Sequence, residues 1–166
     1  KTVSNNAANK TEEFVTFYHG TSPQYAANIR ESGINITISK STNDFGPGFY
    51  MTTSREEAIM SGSMRHDTQD VIEFTVPKSE LSKLDSKTFS SADADWSDFV
   101  TMNKKLNTAP YLPPDEWMYT FDMVTGPMFG AVRPNGTLKT LPGRGMQTSI
   151  HTQEAADLFN RYITKR

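Results

Sequence analysis

Apolar residues along the chain fall into short runs with two different periods. Runs rich in β-branched and aromatic residues, some strictly alternating, predict strands over 14–18, 48–52, 71–76, 119–124 and 146–150. Apolar residues three or four positions apart predict helices after Ser22, after Ser54, around 96–106 and after Thr152. Because strands and helices mix without regular βαβ alternation, the predicted fold class is α+β.

Punctuating residues set the limits of these elements. Gly33 ends the first helix and Pro77 stops the strand over 71–76. Residues 34–47 and 78–95 show no sustained period and are predicted to be irregular, and Pro134-Asn135-Gly136 is predicted to be a tight turn. The polar residues 1–13 are predicted to be a flexible lead-in, with one domain over 14–166.

Composition and net charge argue against several classes of function. The 166 residues carry a net charge of −2, which gives no electrostatic case for non-specific nucleic-acid binding. The absence of cysteine excludes disulfides, thiol catalysis and cysteine-ligated metals. No apolar run reaches the roughly 18 residues of a membrane span, so we expect no membrane partner. The chain begins at Lys1 without a visible signal peptide, and we expect it to be part of a longer protein or processed from one.

Two segments favour a site for a flat, polar ligand. The first is Phe17-Tyr18-His19-Gly20-Thr21, in which a glycine beside His19 lets a ligand approach the backbone. The second is Asp44-Phe45-Gly46-Pro47-Gly48-Phe49-Tyr50-Met51-Thr52. Alternation along its strand points Phe49 and Tyr50 in opposite directions, and Tyr50 offers an aromatic face. Alone, His19 would more simply be an ordinary surface or core histidine, and the second segment changes that balance.

In this order the two segments resemble the His–Tyr–Glu type of ADP-ribosyltransferase, the class of diphtheria toxin and the poly-ADP-ribose polymerases. Three further stretches are similar to the small branch of this class found in bacterial polymorphic toxins: 96–100, 119–127 and 147–152. The resemblance runs in patches from about residue 14 to 160. It implies two small, strongly bent sheets packed face to face, flanking helices, and NAD⁺ in the cleft between the sheets.

The resemblance also implies residue roles. His19 would hydrogen-bond the adenosine-side ribose, the backbone of Gly20 would bind the nicotinamide carboxamide, and Tyr50 would stack on the nicotinamide ring. The implied cofactor-binding set is His19, Gly20, Thr21, Phe45, Gly48, Tyr50 and Arg65. Arg65 would pair with the pyrophosphate, although a solvated surface arginine is the simpler interpretation of that residue. NAD⁺ would serve as co-substrate, without a metal.

The third catalytic position departs from the pattern, because Gln147 stands where the class usually has Glu. A glutamine can orient the ribose, but it supplies no charge to stabilise the oxocarbenium ion. Glu116 and Glu154 are alternative sources of that charge, and an interaction with a helix dipole is the better interpretation of Glu154. On this reasoning, Gln147→Glu should retain or raise activity.

The sequence gives little support for a metal site, a serine hydrolase or a phosphate-binding loop. His66 and His151 have no partners at metal-ligand spacing. The chain has neither a G-x-S-x-G elbow nor a G-x-G-x-x-G or Walker loop.

The sequence therefore predicts a mono-ADP-ribosyltransferase, the toxic module of a secreted bacterial effector that acts in the target-cell cytoplasm. Its expected partners are a macromolecular target, protein more than nucleic acid, and a cognate immunity protein. Two alternatives stay open: an NAD⁺ glycohydrolase toxin, and a catalytically silent NAD-binding module, which Gln147 favours.

Overall fold

Two small sheets and five helices make up the computed structural model, which describes residues 11–38, 43–64, 69–106, 120–133 and 140–164. The strands are β1 (Phe14–Thr21), β2 (Phe49–Met51), β3 (Asp70–Pro77), β4 (Ser86–Thr88), β5 (Met123–Val132) and β6 (Thr140–Ile150). The helices are α1 (Pro23–Ser32), α2 (Arg55–Ser63), α3 (Lys78–Leu81), α4 (Ala94–Asn103) and α5 (Gln153–Asn160), and Ile36–Ile38 form a 3₁₀ turn. The predicted α+β fold class is confirmed.

The two sheets meet near the cleft described below. Strands β1 and β3 pair antiparallel in one sheet, and the other sheet has the order β2-β6-β5-β4. In that sheet β6 is antiparallel to both neighbours, whereas β4 runs parallel to β5. An isolated bridge joins Tyr18 of β1 to Thr52, directly after β2. This bridge ties the edge of the first sheet to the second.

Two apolar clusters form the core. The larger contains residues of β1, β3, α1 and α5, with Phe49, Met51 and Ile150 from the second sheet. The smaller lies between α4 and the four-stranded sheet and contains Phe45, Phe89, Trp96, Phe99, Val100 and Val124. Phe49 belongs to the larger cluster and Tyr50 packs against the smaller one, so these neighbours point in opposite directions as the alternation predicted.

The predicted helix caps are confirmed. The side chains of Ser22, Ser54 and Thr152 each accept a hydrogen bond from the backbone N–H three residues later, at 3.2 Å. These bonds satisfy donors that the first helical turn leaves without an internal partner. Gly33 follows α1 with φ of 87°, a conformation that favours glycine.

Sequence patterns missed the structure that depends on distant partners. The segment 78–95 was predicted to be irregular, but it contains α3 and β4, and β4 forms because β5 offers it a parallel edge. The strand predicted over 119–124 is wrong at its start, because residues 120–122 precede β5, which begins at Met123. Strand β5 then extends to Val132, and β6 begins at Thr140, earlier than the predicted 146, because these two strands pair with each other. The turn predicted at 134–136 lies outside the described residues, as does most of the lead-in.

Candidate functional site

A polar cleft opens where β1 and β2 separate beyond the Tyr18–Thr52 bridge. Helix α2 forms one wall, and β6 with the loop before β2 forms another. Its described lining is Tyr18, His19, Gly20, Asn43, Asp44, Tyr50, Met51, Thr52, Ala58, Ser61, Met128 and Gln147. The cleft therefore brings together four of the residues predicted from the sequence: His19, Gly20, Tyr50 and Gln147.

The imidazole of His19 is held in one orientation. Its Nδ1 lies 2.6 Å from the carbonyl oxygen of Tyr50, so Nδ1 carries the proton and donates it. The ring stacks on Phe49, with 4.1 Å between the centroids. In the neutral ring Nε2 is then a hydrogen-bond acceptor, the property needed to bind a sugar hydroxyl.

Gly20 is required first of all by packing. A Cβ atom at this position would overlap the carbonyl oxygen of Ala58 in α2 and come within 3.4 Å of the Cα of Gly62. The sequence interpretation gave ligand approach as the reason for this glycine. Close contact between β1 and α2 is a sufficient reason by itself.

The backbone of Gly20 nevertheless faces the cleft. Tyr18 exchanges two hydrogen bonds with Thr52, at 2.7 and 3.0 Å, on the edge of β1 opposite β3. Backbone N–H and C=O groups two residues apart in a strand point to the same edge. The polar groups of Gly20 therefore point to the edge where the second sheet turns away, and this edge borders the cleft.

The phenol of Tyr50 is fixed by the loop that precedes it. Its hydroxyl donates to the carbonyl oxygen of Gly46 at 2.6 Å and accepts from the N–H of Phe45 at 2.8 Å. Burial, the largest cause, raises the pKa of Tyr50 well above its ordinary value, and the nearby Asp44 carboxylate acts in the same direction. The hydroxyl therefore stays protonated, and the group left to act on a ligand is the ring.

Gln147 is placed by the end of a strand pairing. The β2–β6 ladder ends at the pair Met51 and Thr148, so Gln147 is the first residue of β6 beyond β2. Its side chain is buried, and its Nε2 donates to Oδ2 of Asp44 at 2.7 Å. Gln147 thus lies in the cleft with His19 and Tyr50.

Asp44 was missed as a site residue, although it begins the second of the two sequence segments. A turn closed by the hydrogen bond from Gly46 N–H to the Asn43 carbonyl places it at the cleft. Gly46 completes this turn with φ of 93°, which a residue with a side chain rarely adopts. A single sequence gives no sign that this loop contacts a residue 103 positions later.

Four other predicted binding residues are not part of the described lining of the cleft. Thr21 and Phe45 are buried, the latter in the smaller core cluster, so their side chains serve packing. A Cβ at Gly48 would come within 2.6 Å of the His151 ring, so close packing there explains that glycine. Arg65 lies outside the described residues.

Of the two alternative acids, the described residues include Glu154, which is not part of the cleft lining. Glu154 is exposed in the first turn of α5, where it complements the helix dipole. Glu116 lies outside the described residues, as does His66. His151 bridges the Pro47 carbonyl at 2.6 Å and the Ser149 hydroxyl at 2.7 Å. Within the described ranges, no cluster of three or more metal-ligating side chains occurs, and no helix is long and apolar enough to cross a membrane.

The fold and the cleft define an α+β protein with a histidine, a tyrosine and an amide–carboxylate pair around one small polar cleft. The chain belongs to the DUF3990 family, a family of proteins of unknown function, whose family model matches residues 15–132. The match runs from β1 to the end of β5 and includes His19, Asp44 and Tyr50, whereas Gln147 follows it. Comparison with curated proteins gives no match.

Proposed function

We propose that this protein is an NAD⁺-dependent mono-ADP-ribosyltransferase. The observation that supports the proposal is the convergence of His19, Gly20, Tyr50 and Gln147, from three strands, on one cleft. The sequence resemblance gave each of these residues a role in binding NAD⁺: Gly20, Tyr50 and Gln147 at the nicotinamide end, and His19 at the adenosine-side ribose. Their spatial proximity is what those roles require.

The chemistry of the lining suits the nicotinamide half of NAD⁺. The backbone of Gly20 offers a donor and an acceptor, which match the two polar groups of a carboxamide. The ring of Tyr50 offers a stacking surface for a flat heterocycle. The described residues enclose about 120 Å³, below the roughly 300–1,000 Å³ of pockets that bury a whole drug-sized ligand. Such a cleft fits one end of a dinucleotide.

The proposed reaction has two steps. The bond between ribose C1′ and the nicotinamide nitrogen breaks, its electron pair neutralises the pyridinium, and nicotinamide leaves. A lone pair of the acceptor nucleophile then forms the new bond to C1′, and the proton of the nucleophile passes to solvent or a base. The protein contributes orientation and electrostatic stabilisation of the sugar cation.

The biological setting belongs to the same proposal. The resemblance to polymorphic toxins favours a secreted bacterial effector acting in the target-cell cytoplasm, with a protein target and an immunity protein that covers the cleft. The net charge of −2 gives no independent reason to favour nucleic acid as the target.

Incubation with adenylate-labelled NAD⁺ and a cell extract tests the proposal. A transferase releases nicotinamide and labels a macromolecule, and Gln147→Ala removes both signals. Gln153→Ala is the matched control, because Gln153 is an exposed glutamine on α5. It should leave both signals unchanged.

The other outcomes are distinct. Nicotinamide and free ADP-ribose in equal amounts, without labelled macromolecule, would establish a glycohydrolase. Saturable NAD⁺ binding without loss of NAD⁺ would establish the silent binding module. If NAD⁺ neither binds nor is consumed, the proposal is wrong.

A further inference from the structure

The acidic group of the cleft is not at the third catalytic position but opposite it. Among the described residues that line the cleft, Asp44 alone carries a carboxylate. It comes from the loop before β2, whereas Gln147 comes from β6, and their side chains meet at 2.7 Å.

The Asp44 carboxylate is anchored from three directions. Oδ2 accepts from Gln147 Nε2 and from the backbone N–H of Phe129 at 3.0 Å. Oδ1 lies 3.3 Å from Nζ of Lys104, and both side chains of this ion pair are about one-fifth exposed. The β5–β6 register shifts on both sides of Phe129, and such irregularities redirect backbone groups away from the ladder. Asp44 is therefore a fixed acceptor.

A fixed acceptor determines how the Gln147 amide is oriented. A carboxylate accepts hydrogen bonds and donates none, so the amide group must turn its NH₂ toward Asp44. The amide oxygen, Oε1, is then the atom left to accept a hydrogen bond from a ligand hydroxyl. A neutral glutamine thus acquires the acceptor geometry that a glutamate would have.

We propose that Asp44 is a positioning residue that orients Gln147 to accept from a ribose hydroxyl, and that it supplies the one negative charge this amide–carboxylate pair tolerates. The catalytic half of this inference rests on the proposed function. The charge half concerns the folded protein alone.

One consequence reverses the expectation from the sequence. Gln147→Glu would place a second carboxylate against Asp44, and like charges this close disfavour ionisation of both. Lys104 neutralises one of them and the Phe129 amide already donates to Asp44. Gln147→Glu should therefore impair the protein at neutral pH, where the sequence alone predicted unchanged or higher activity.

A double-mutant cycle that exchanges the amide and the carboxylate tests the inference. Wild type, Asp44→Asn, Gln147→Glu and the double variant are compared for NAD⁺ turnover between pH 5 and 8. At pH 8 each single variant should lose about 10-fold or more in kcat with a smaller change in KM, because the contact matters most in the transition state. The double variant exchanges amide and carboxylate and should recover at least about 10-fold over either single variant.

The pH profile distinguishes this role from a merely structural one. Gln147→Glu should regain turnover on acidification, because a proton shared by the two carboxylates restores the donor that Asp44 needs. The wild-type profile is the reference for each variant. Urea unfolding without NAD⁺ gives a second readout: Gln147→Glu should unfold at lower urea at pH 8 than at pH 5, relative to wild type, and the double variant should not.

A matched control exists on α5. Gln153 Nε2 donates to Asp157 at 2.8 Å on the exposed surface, so Gln153→Glu, Asp157→Asn and their double variant repeat the same exchange away from the cleft. These variants should match wild type in turnover.

The outcomes separate the two proposals. If wild type cleaves NAD⁺ but Asp44→Asn keeps its kcat, or the double variant shows no recovery, the positioning role of Asp44 is refuted while the proposed function stands. If wild type never cleaves NAD⁺, the proposed function and the catalytic half fail together. In that case, the charge half is refuted as well if, in urea unfolding, the stability changes of the two single variants add up to that of the double variant.

Discussion

Under the proposed function, the hydroxyl of Tyr50 serves stability and its ring serves NAD⁺ binding, and Tyr50→Phe separates these two tasks. The substitution keeps the ring and removes the two hydrogen bonds to Gly46 and Phe45. We expect the variant to lose stability while keeping its turnover of NAD⁺. Tyr50→Ala removes the ring as well and leaves space beside Phe45 and His151, so it costs more stability than a surface truncation.

The magnitude follows from the two backbone groups left behind. A buried polar group that loses its partner costs about 1–3 kcal/mol, and the open cleft lets water compensate in part. We therefore expect Tyr50→Phe to lower the free energy of unfolding by about 1–3 kcal/mol in total. At about 3 °C per kcal/mol for a chain of this size, the Tm falls by about 3–9 °C.

Urea titration followed by circular dichroism, and calorimetry for the Tm, measure the loss. Met64→Ala is the control, since Met64 is 87% exposed at the end of α2, and it should change the unfolding free energy by less than about 0.5 kcal/mol. NAD⁺ turnover is measured well below both Tm values and should stay within about threefold of wild type. A Tyr50→Phe variant with wild-type stability, or one that is inactive although folded at the assay temperature, would refute the division of tasks.

Three further outcomes are expected. His19→Ala should lower kcat/KM for NAD⁺ by about 10–100-fold with an unchanged circular dichroism spectrum, because one ribose hydrogen bond is lost; equal kinetics would remove His19 from the site. Gly20→Ala should cost about 1–3 kcal/mol or more in urea unfolding, because its Cβ meets backbone of α2; a stable variant would contradict that packing. Burial lowers the pKa of His151, so the unfolded chain binds its proton first and stability falls as pH drops below about 6.5. His151→Gln should flatten this part of the stability–pH curve, and an unchanged slope would assign it to other groups.

The sequence predicted what depends on neighbouring residues. The caps at Ser22, Ser54 and Thr152 and the opposite directions of Phe49 and Tyr50 are local properties, and the structure confirms them. The chemistry of two segments indicated His19, Gly20 and Tyr50, whereas Gln147 came from the resemblance, because no spacing rule connects residues in three different strands.

The remaining features depend on distant contacts. Strand β4 has weak strand character by itself and forms on the edge of β5. Asp44 can be identified as a site residue only from the folded chain, which brings Gln147, Lys104 and the Phe129 amide to it. Gly20 shows the opposite case, in which the residue was chosen correctly but its main constraint, the backbone of α2, was invisible in the sequence.

Titration of the ¹⁵N-labelled protein with NAD⁺ tests the central claim, that this cleft binds the nicotinamide end of NAD⁺. The backbone amide of Gly20 should shift and saturate, with nicotinamide alone moving the same signal, whereas the amide of Glu154 on α5 should not move. Turnover is slowed by low temperature so that the complex persists. Saturable shifts confined to other surfaces, or no saturable shift of Gly20 at millimolar NAD⁺, would contradict the account.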